Sequence, residues 1–236
     1  MIEIKNVSKT YNGEKKAIKN INFDVKNGEI FAFIGHNGAG KTTMIKSLVG
    51  ILDFEEGDIL INGKSIKKDP IACKLEMAYV PDNPDLYENM TAIDFINFIC
   101  DMYGADLETR KENILKYAQM FEIEKNLNDD ISSFSHGMKQ KVALIAALSH
   151  NPKVLIMDEP FVGLDPKAVF DIKNIMKQMA KEGKTIFFST HILDVAEKLC
   201  DRVAIIKNGN ISKIGKMKDI KGDSSLEEVF LELEDK

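Results

Sequence analysis

The sequence has few cysteines and prolines, and none of its apolar runs is long. The three cysteines and four histidines are scattered over 236 residues, which excludes a disulfide framework and favours a reducing compartment. No apolar run approaches the roughly 18 residues that a membrane span requires. Any membrane-spanning segments are therefore expected to belong to another chain. The first residues also lack the charged-then-apolar order of a signal peptide.

The net charge also limits the kinds of molecule that the protein is expected to bind. The formal net charge of −5 argues against a surface that binds a polyanion, so nucleic acid is not expected as a partner. Short basic clusters, such as Lys15 with Lys16 and Lys67 with Lys68, are interpreted as solvated faces. With 44% hydrophobic and 29% charged residues, the chain has enough apolar material for one compact α/β domain with a subdomain.

One glycine-rich stretch matches the phosphate-binding pattern G-x-x-x-x-G-K-[ST]. It consists of Gly35, His36, Asn37, Gly38, Ala39, Gly40, Lys41, Thr42 and Thr43. Residues 29–34 before it are apolar and β-prone, and the apolar residues after it recur at helical spacing. The stretch therefore joins a predicted strand to a helix N-terminus, where unpaired backbone N–H groups and the helix dipole favour an anion.

Each residue type in this stretch suits a nucleoside triphosphate. The glycines allow the backbone to approach a phosphate closely, because no side chain obstructs it. Lys41 is expected to bind the β- and γ-phosphates, and the Thr42 hydroxyl is expected to bind Mg²⁺. Thr43 lies one position further into the helix and can reach the α-phosphate. We interpret the stretch as a triphosphate site.

Strands and helices alternate in the second half of the chain. Residues 154–157, 185–189 and 203–206 are typical of buried strands, with helices predicted over 167–181 and from residue 192. This alternation predicts an α/β fold with a mostly parallel sheet. The tail carries a capping box at Ser225 and an apolar stripe, which predict a C-terminal helix.

The first half of the chain departs from that alternation in two places. Residues 2–7 and 17–25 alternate like antiparallel strands around a turn predicted at 9–13. Residues 91–148 have a helical pattern, in which Phe95 and Phe98 are predicted to lie in the core. Because more than a hundred residues separate Lys41 from Asp158, far more than a plain βαβ crossover requires, this helical block is interpreted as an inserted subdomain.

Two carboxylates follow the buried strand 154–157, at the edge where an open α/β sheet binds its ligand. Asp158 suits Mg²⁺ through its water shell. Glu159 can reach the attacking water as a general base. Without the triphosphate site, an ordinary strand end would be the preferred interpretation of this pair.

Three other positions can contribute to the same chemistry. Ser135 is placed as the N-cap of a second helix, which presents its N-terminus to an anion. His191 follows a strand end and is able to hydrogen-bond a γ-phosphate. Tyr11 could stack on an adenine, although packing within the fold is an alternative role for this ring.

Taken together, these motifs resemble the nucleotide-binding subunits of ABC transporters over essentially the whole chain. In that family's terms, residues 35–43 form the Walker A loop, and residues 154–158 with Glu159 form the Walker B segment. Residues 135–138 match the signature motif, and residues 162–165, ending in Asp165, match the D-loop. His191 matches the switch histidine and Tyr11 the adenine-stacking position. The resemblance implies ATP and Mg²⁺ as ligands, and ATP hydrolysis as the activity.

The resemblance also implies how the chain is divided. Residues 1–236 are expected to form a single ABC ATPase domain with a P-loop core. Residues 1–85 and 151–215 would form the RecA-like core with its antiparallel β part. Residues 86–150 would form the helical signature subdomain, and residues 216–236 a C-terminal helical tail.

The signature stretch departs from the usual L-S-G-G-Q of the family. Only Ser135 and the second glycine, Gly137, are kept, while His136 and Met138 replace a glycine and the glutamine. The backbone donors at the helix start are unaffected by these changes, so anion binding is still expected.

A second departure is Asp82, which stands where the family's glutamine is expected after Tyr79, Val80 and Pro81. Its carboxylate can bind Mg²⁺ or a water of Mg²⁺. It is, however, one methylene shorter than glutamine and negatively charged beside the γ-phosphate. A metal-linked role for Asp82 and an incidental one therefore both remain open.

The resemblance further implies how the protein works. Two chains, identical or related, would pack head to tail and enclose each ATP between one chain's Walker A loop and the other's signature helix. The loop around Pro81 and Asp82 would carry the resulting motion to an integral membrane permease. The protein would be cytoplasmic and peripheral on the inner face of the cell membrane. The signature variant and the tail most resemble the subfamily that drives ABC-2-type exporters of drugs, peptides or lipids.

Two alternatives belong to other functional classes. A soluble member of the family that acts on ribosomes or DNA usually has two cassettes, coiled-coil arms or basic surfaces, which this sequence lacks. A small-molecule kinase would leave the signature helix, the D-loop and His191 without an explanation.

Overall fold

The computed structural model describes residues 1–11 and 15–234. In these residues the strands are, in chain order, β1 (Ile2–Tyr11), β2 (Lys15–Val25), β3 (Ile30–Ile34), β4 (Glu56–Ile61), β5 (Lys64–Ser65), β6 (Met77–Val80), β7 (Val154–Asp158), β8 (Thr185–Thr190), β9 (Arg202–Lys207) and β10 (Asn210–Lys216). The helices are α1 (Lys41–Leu48), α2 (Pro70–Lys74), α3 (Ala92–Met102), α4 (Leu107–Met120), α5 (His136–Ser149), α6 (Pro166–Lys181), α7 (Leu193–Leu199), α8 (Met217–Lys221) and α9 (Leu226–Glu234).

The strands form two sheets. An antiparallel sheet has the order β2-β1-β4-β5, and a larger sheet has the order β10-β9-β3-β8-β7-β6. In the larger sheet β9, β3, β8, β7 and β6 are parallel, and only β10 pairs antiparallel, through the hairpin at Asn208 and Gly209. This arrangement confirms the predicted α/β fold with a mostly parallel sheet.

Strand β3 is apolar throughout because it is covered on both faces. Phe31 and Phe33 of β3 pack into a core shared with the antiparallel sheet and α1. Ile30, Ala32 and Ile34 of the same strand pack into a second core, shared with the helices of the opposite face. The helices α3, α4 and α5 lie between β6 and β7 in the chain, as the helical block predicted.

Two local predictions are wrong. Residues Lys9, Thr10 and Tyr11 were expected in a turn but extend β1, where Lys9 pairs with Ile18 of β2. The remainder of that predicted turn, residues 12 and 13, lies outside the described residues. Phe98 was expected in the core but is 38% exposed. Its helix α3 turns Ile96 and Cys100 inward instead, so the apolar face is wider than the buried one.

The topology fixes where the site lies. In register, Ile34 at the end of β3 is opposite Thr190 at the end of β8. Ser189 of β8 is in turn opposite Asp158 at the end of β7. The segments that follow these three parallel strands therefore emerge side by side at one edge of the sheet. No helix in the described parts of the chain is long and apolar enough to cross a membrane.

Candidate functional site

A cavity of about 700 Å³ opens at this edge of the sheet, a size typical of small-molecule sites. Predicted site residues that line it are Tyr11, His36, Asn37, Gly38, Gly40, Lys41, Thr42, Thr43, Asp82 and Glu159. Lining residues that sequence reasoning missed are Lys16, Ala17, Lys19, Asn208 and Gly209. Gly35, Ala39 and Asp158 are buried directly beside these residues.

The glycine-rich loop is held so that only glycine fits at two of its positions. Gly40 caps α1 with a left-handed φ of 116°, and an added Cβ would lie 2.6 Å from the Ala17 carbonyl oxygen. A Cβ on Gly35 would lie 2.5 Å from the carbonyl oxygen of Ile206. The loop therefore keeps its backbone open to a ligand because larger residues would collide with β2 and β9.

Lys41 crosses the loop and lies close to the catalytic candidates. Its Nζ donates to the Gly35 carbonyl oxygen at 2.7 Å and lies 3.4 Å from Oε1 of Glu159. The side chain is only 7% exposed, so the ammonium is largely removed from water and its attraction to an anion is strengthened. This is the environment in which a lysine binds a phosphate well.

Glu159 is held between Lys41 and His191. Its Oε2 lies 2.9 Å from Nδ1 of His191 and accepts the backbone N–H of His191 at 3.1 Å. Its own backbone N–H donates to the Ser189 hydroxyl at 3.1 Å. The Glu159 carboxylate thus has one oxygen toward Lys41 and the other toward His191, an orientation that suits a general base.

Ser189 is a site residue that sequence reasoning missed. Its hydroxyl donates to Oδ1 of Asp158, and both side chains are almost completely buried. This hydrogen bond orients the Asp158 side chain and supplies a donor that a buried carboxylate needs. The available signal was the position of Ser189 at the end of β8, next to the strand that ends in Asp158.

The acidic side chains of the site fit a divalent cation. Burial, together with the charges of Asp158 and Glu159, raises the pKa of Asp82, while His136 and His191 act in the opposite direction. A cation would relieve this repulsion, and the hydroxyl of Thr42 with these carboxylates is the oxygen donor set that Mg²⁺ prefers. Among the described residues, no three His, Cys, Asp or Glu side chains could hold a metal by themselves.

Tyr11 also lines the cavity, next to Thr43. Its ring is 43% exposed, and its hydroxyl lies 3.4 Å from the hydroxyl of Thr43. A planar ring that lines a cavity and is open to solvent can accept a base on its face. Lys16 and Lys19 line the same cavity.

The residues of the predicted second helix lie outside this cavity. Ser135 caps α5 through a hydrogen bond from the Met138 N–H at 3.3 Å, and both Ser135 and His136 are exposed. The start of α5 contacts the loop before α6. A Cβ on Gly163 would come within 2.6 Å of the His136 ring, and Lys141 lies 2.7 Å from Asp165.

Comparison with known proteins finds close relatives. The profile of the family described as "ABC transporter" matches residues 18–162. EcsA of Bacillus subtilis, an ABC-type transporter ATP-binding protein, is 34% identical over 99% of this chain and 96% of its own. LnrL of the same organism, a linearmycin resistance ATP-binding protein, is 37% identical over 93% of this chain and 70% of its own. MetN of Clostridioides difficile, a methionine import ATP-binding protein, is 33% identical over 93% and 70%.

Solved structures agree. The ATP-binding subunit of an ABC transporter superposes with a TM-score of 0.95, at 34% identity and over 99% of both chains. The dimeric cassette MJ0796, in a post-hydrolysis state with ADP and Pi, superposes with a TM-score of 0.83, at 28% identity, over 92% of this chain and 99% of that one. The chain therefore belongs to the ABC transporter family, as an ATP-binding subunit that hydrolyses ATP.

Proposed function

We propose that two ATPase subunits, two copies of this chain or this chain and a related one, close head to tail over two ATP molecules and drive an ABC-2-type exporter. The observation that carries the proposal is the separation of two half-sites. The cavity is built by Tyr11, the loop before α1 and Glu159, whereas the exposed start of α5 at Ser135 does not line it. A second chain can supply that helix start. The dimeric state of MJ0796 supports the same arrangement.

Within each site the side chains would divide the chemistry as follows. The ring of Tyr11 would stack on the base. The backbone of residues 35–43 and the Lys41 ammonium would bind the phosphates, with the Thr43 hydroxyl at the α-phosphate. Glu159, held by His191, would accept the proton of the attacking water. Across the interface, the N-terminus of α5 would bind the γ-phosphate.

Thr42 and Asp158 would hold Mg²⁺, and Asp82 is a further candidate ligand. When bound, the ion neutralises charge on the β- and γ-phosphates. The Ser189 hydroxyl keeps Asp158 in place beside it. From the partner chain, residues 135–138 would complete the site, and Asp165 would lie at the same interface.

The division into parts follows from these roles. Residues 1–85 and 151–215 would act as the RecA-like nucleotide core with its antiparallel part, and residues 86–150 as the signature subdomain. Residues 216–236 would act as a tail that covers the core.

An integral membrane permease is the proposed partner, and it would place the protein on the inner face of the cell membrane. An exposed apolar patch supports this. Tyr87 is 58% exposed, Phe98 38% and Met102 64%, and the rings of Tyr87 and Phe98 are 5.8 Å apart. In the chain, Tyr87 of this patch comes soon after the loop that contains Asp82, and Asp82 lines the nucleotide cavity. A permease segment bound there would sense closure of the site.

The proposal also specifies the direction of transport, which is export. The similarity to LnrL, whose name refers to linearmycin resistance, and the signature variant at residues 135–140 favour export. The methionine importer subunit MetN is also a relative, at 33% identity. Transport by inside-out vesicles that contain the purified ATPase–permease complex would decide between export and import.

The dimer is tested with Glu159→Gln, which removes the base but keeps the side-chain shape. With saturating Mg-ATP, light scattering should report a stable dimer, because ATP remains uncleaved between the subunits. Adding Ser135→Arg should return the protein to a monomer that still binds ATP. The matched change Ser224→Arg, at an exposed serine of the tail, should leave the dimer intact. A monomer of Glu159→Gln at saturating Mg-ATP would contradict the proposal.

A further inference from the structure

The end of β1 that carries Tyr11 is held by hydrogen bonds with Glu55, a residue outside the nucleotide cavity. We propose that Lys9, held in place by Glu55, is a positioning residue for Tyr11 and sets how tightly the base of the nucleotide is bound. This inference rests on the proposed stacking of the base on Tyr11. It assigns a function to two residues that belong to none of the motifs above.

Glu55 contacts three successive residues of β1. Its Oε1 accepts a hydrogen bond from Nζ of Lys9 at 2.7 Å, and its Oε2 accepts the backbone N–H of Thr10 at 2.9 Å. Its own backbone N–H donates to the Ser8 carbonyl oxygen at 3.2 Å. The bond from Lys9 and those from the backbone lower the pKa of Glu55, so the carboxylate is charged at neutral pH. Both of its oxygens therefore bind the segment directly before Tyr11.

Lys9 connects Glu55 to the aromatic ring of Tyr11. Lys9 and Tyr11 are two positions apart on one strand and point to the same side of it. The ammonium lies 6.0 Å from the centre of the Tyr11 ring, within the range of a cation–π contact. The Lys9 side chain is only 14% exposed, so water competes weakly for the ammonium. Its bond to Glu55 keeps it there.

The contact leaves the nucleotide side of the ring accessible. Tyr11 lines the cavity, whereas Lys9 and Glu55 do not, so the ammonium lies outside the space that a base would enter. At its other end the ring is near Thr43, since the two hydroxyls are 3.4 Å apart. Lys9 holds the ring at its face, and Thr43 holds it near its hydroxyl. The ring therefore loses less conformational freedom when a base stacks on it, and pre-organisation of this kind strengthens binding.

The test compares ATP with inorganic tripolyphosphate, which has the phosphates but no base. Both are titrated calorimetrically with Mg²⁺ present. Lys9→Met should weaken ATP binding about two- to fivefold, the range of an exposed cation–π contact, and leave tripolyphosphate binding unchanged. In steady-state hydrolysis KM for ATP should rise while kcat stays the same. Lys9→Arg should restore both values, because arginine keeps the cation and the pair with Glu55. The control Lys5→Met removes an exposed lysine of the same strand and should change nothing.

A spectroscopic measurement reads the ring directly. The chain has no tryptophan, so Tyr11→Trp introduces a single tryptophan at the stacking position, and its fluorescence can be excited selectively. ATP should quench it and tripolyphosphate should not. Adding Lys9→Met should raise the ATP concentration at half-maximal quenching by the same two- to fivefold.

The outcomes separate this inference from the proposed stacking. If Tyr11→Ala weakens ATP binding but Lys9→Met does not, the role of Lys9 is refuted and the stacking stands. If Lys9→Met weakens ATP and tripolyphosphate equally, Lys9 acts on the phosphate site or the fold, and the inference is also refuted. If Tyr11→Ala leaves ATP binding unchanged, the stacking itself is wrong, and the inference falls with it.

Discussion

His150 should make the stability of the protein depend on pH in a way that can be calculated. It caps the C-terminus of α5, and its ring stacks on that of Tyr103, the cap of α3, at 3.8 Å and an angle of 8°. Its Nε2 is buried and has no hydrogen-bond partner in the described residues. Burial lowers the pKa of His150 to about 4, so the ring is neutral where the helical subdomain packs against β6.

The sign follows from the two pKa values. In the unfolded chain a histidine titrates near pH 6.5, above the value in the folded protein. The unfolded state therefore binds an extra proton between pH 6.5 and about 4, and stability falls as pH falls through this window. Full stability is present above pH 6.5. Between pH 7 and pH 5 the loss from this one group is about 2 kcal/mol, and at pH 4 it approaches about 3 kcal/mol.

The assay compares wild type with His150→Phe by urea unfolding from pH 7 to pH 4.5. Phenylalanine keeps a flat ring against Tyr103 but cannot bind a proton. Carboxylates elsewhere contribute equally to both proteins, so the difference between the two free energies of unfolding isolates His150. It should shift by about 2 kcal/mol between pH 7 and pH 5, in favour of the variant at low pH.

Proton NMR of the wild type provides an independent measurement. The His150 ring signal, assigned by its loss in the variant, should not titrate above pH 5. Parallel stability curves for the two proteins, or a ring that titrates near pH 6.5, would refute the reasoning.

Three further predictions concern the nucleotide site. Lys41→Ala should abolish ATP hydrolysis while circular dichroism stays unchanged, because the phosphates lose their ammonium; unchanged turnover would contradict the assignment. Ser189→Ala should lower kcat and destabilise the fold by about 1–3 kcal/mol, since buried Asp158 loses its donor; urea unfolding and ATPase assays would detect both, and wild-type values would contradict the role of Ser189. Asp82→Gln removes a negative charge beside Asp158 and Glu159. If Asp82 binds Mg²⁺, the Mg²⁺ concentration for half-maximal turnover should rise, and an unchanged value would show that this carboxylate is incidental.

Much of the fold could be predicted because its signals are local. Strand β7 is buried throughout and is apolar up to its last residue, Asp158, and the Asn-Gly turn at residues 62 and 63 is specified by two consecutive residues. The capping box of the tail is present as two reciprocal hydrogen bonds between Ser225 and Glu228, at 3.0 and 3.1 Å. Such features need no knowledge of distant residues.

The wrong predictions arise where composition conflicts with pairing or with exposure. The residues from Lys9 to Tyr11 are polar and precede an Asn-Gly pair, which is typical of a turn, yet pairing with β2 extends the strand to Tyr11. On α3 the apolar pattern cannot distinguish a core face from an exposed patch, so Phe98 was placed inside. The short helices α2 and α8 also have too few residues for a periodic signal.

The contacts that position the side chains of the candidate site depend on how distant segments pair, and this pairing is not specified by local sequence. The bond from Ser189 to Asp158 joins residues 31 positions apart, and that from Lys9 to Glu55 joins residues 46 apart. Glu159 illustrates the consequence. Its φ of 47° is uncommon for a residue with a side chain, and such a conformation costs on the order of 1 kcal/mol or more. It persists because Ser189 holds the backbone N–H of Glu159 through its hydroxyl and its carbonyl oxygen. That turn of the backbone directs the carboxylate between Lys41 and His191 instead of along the strand. The sequence therefore predicts Glu159 as the base, but the neighbouring strand determines where its carboxylate points.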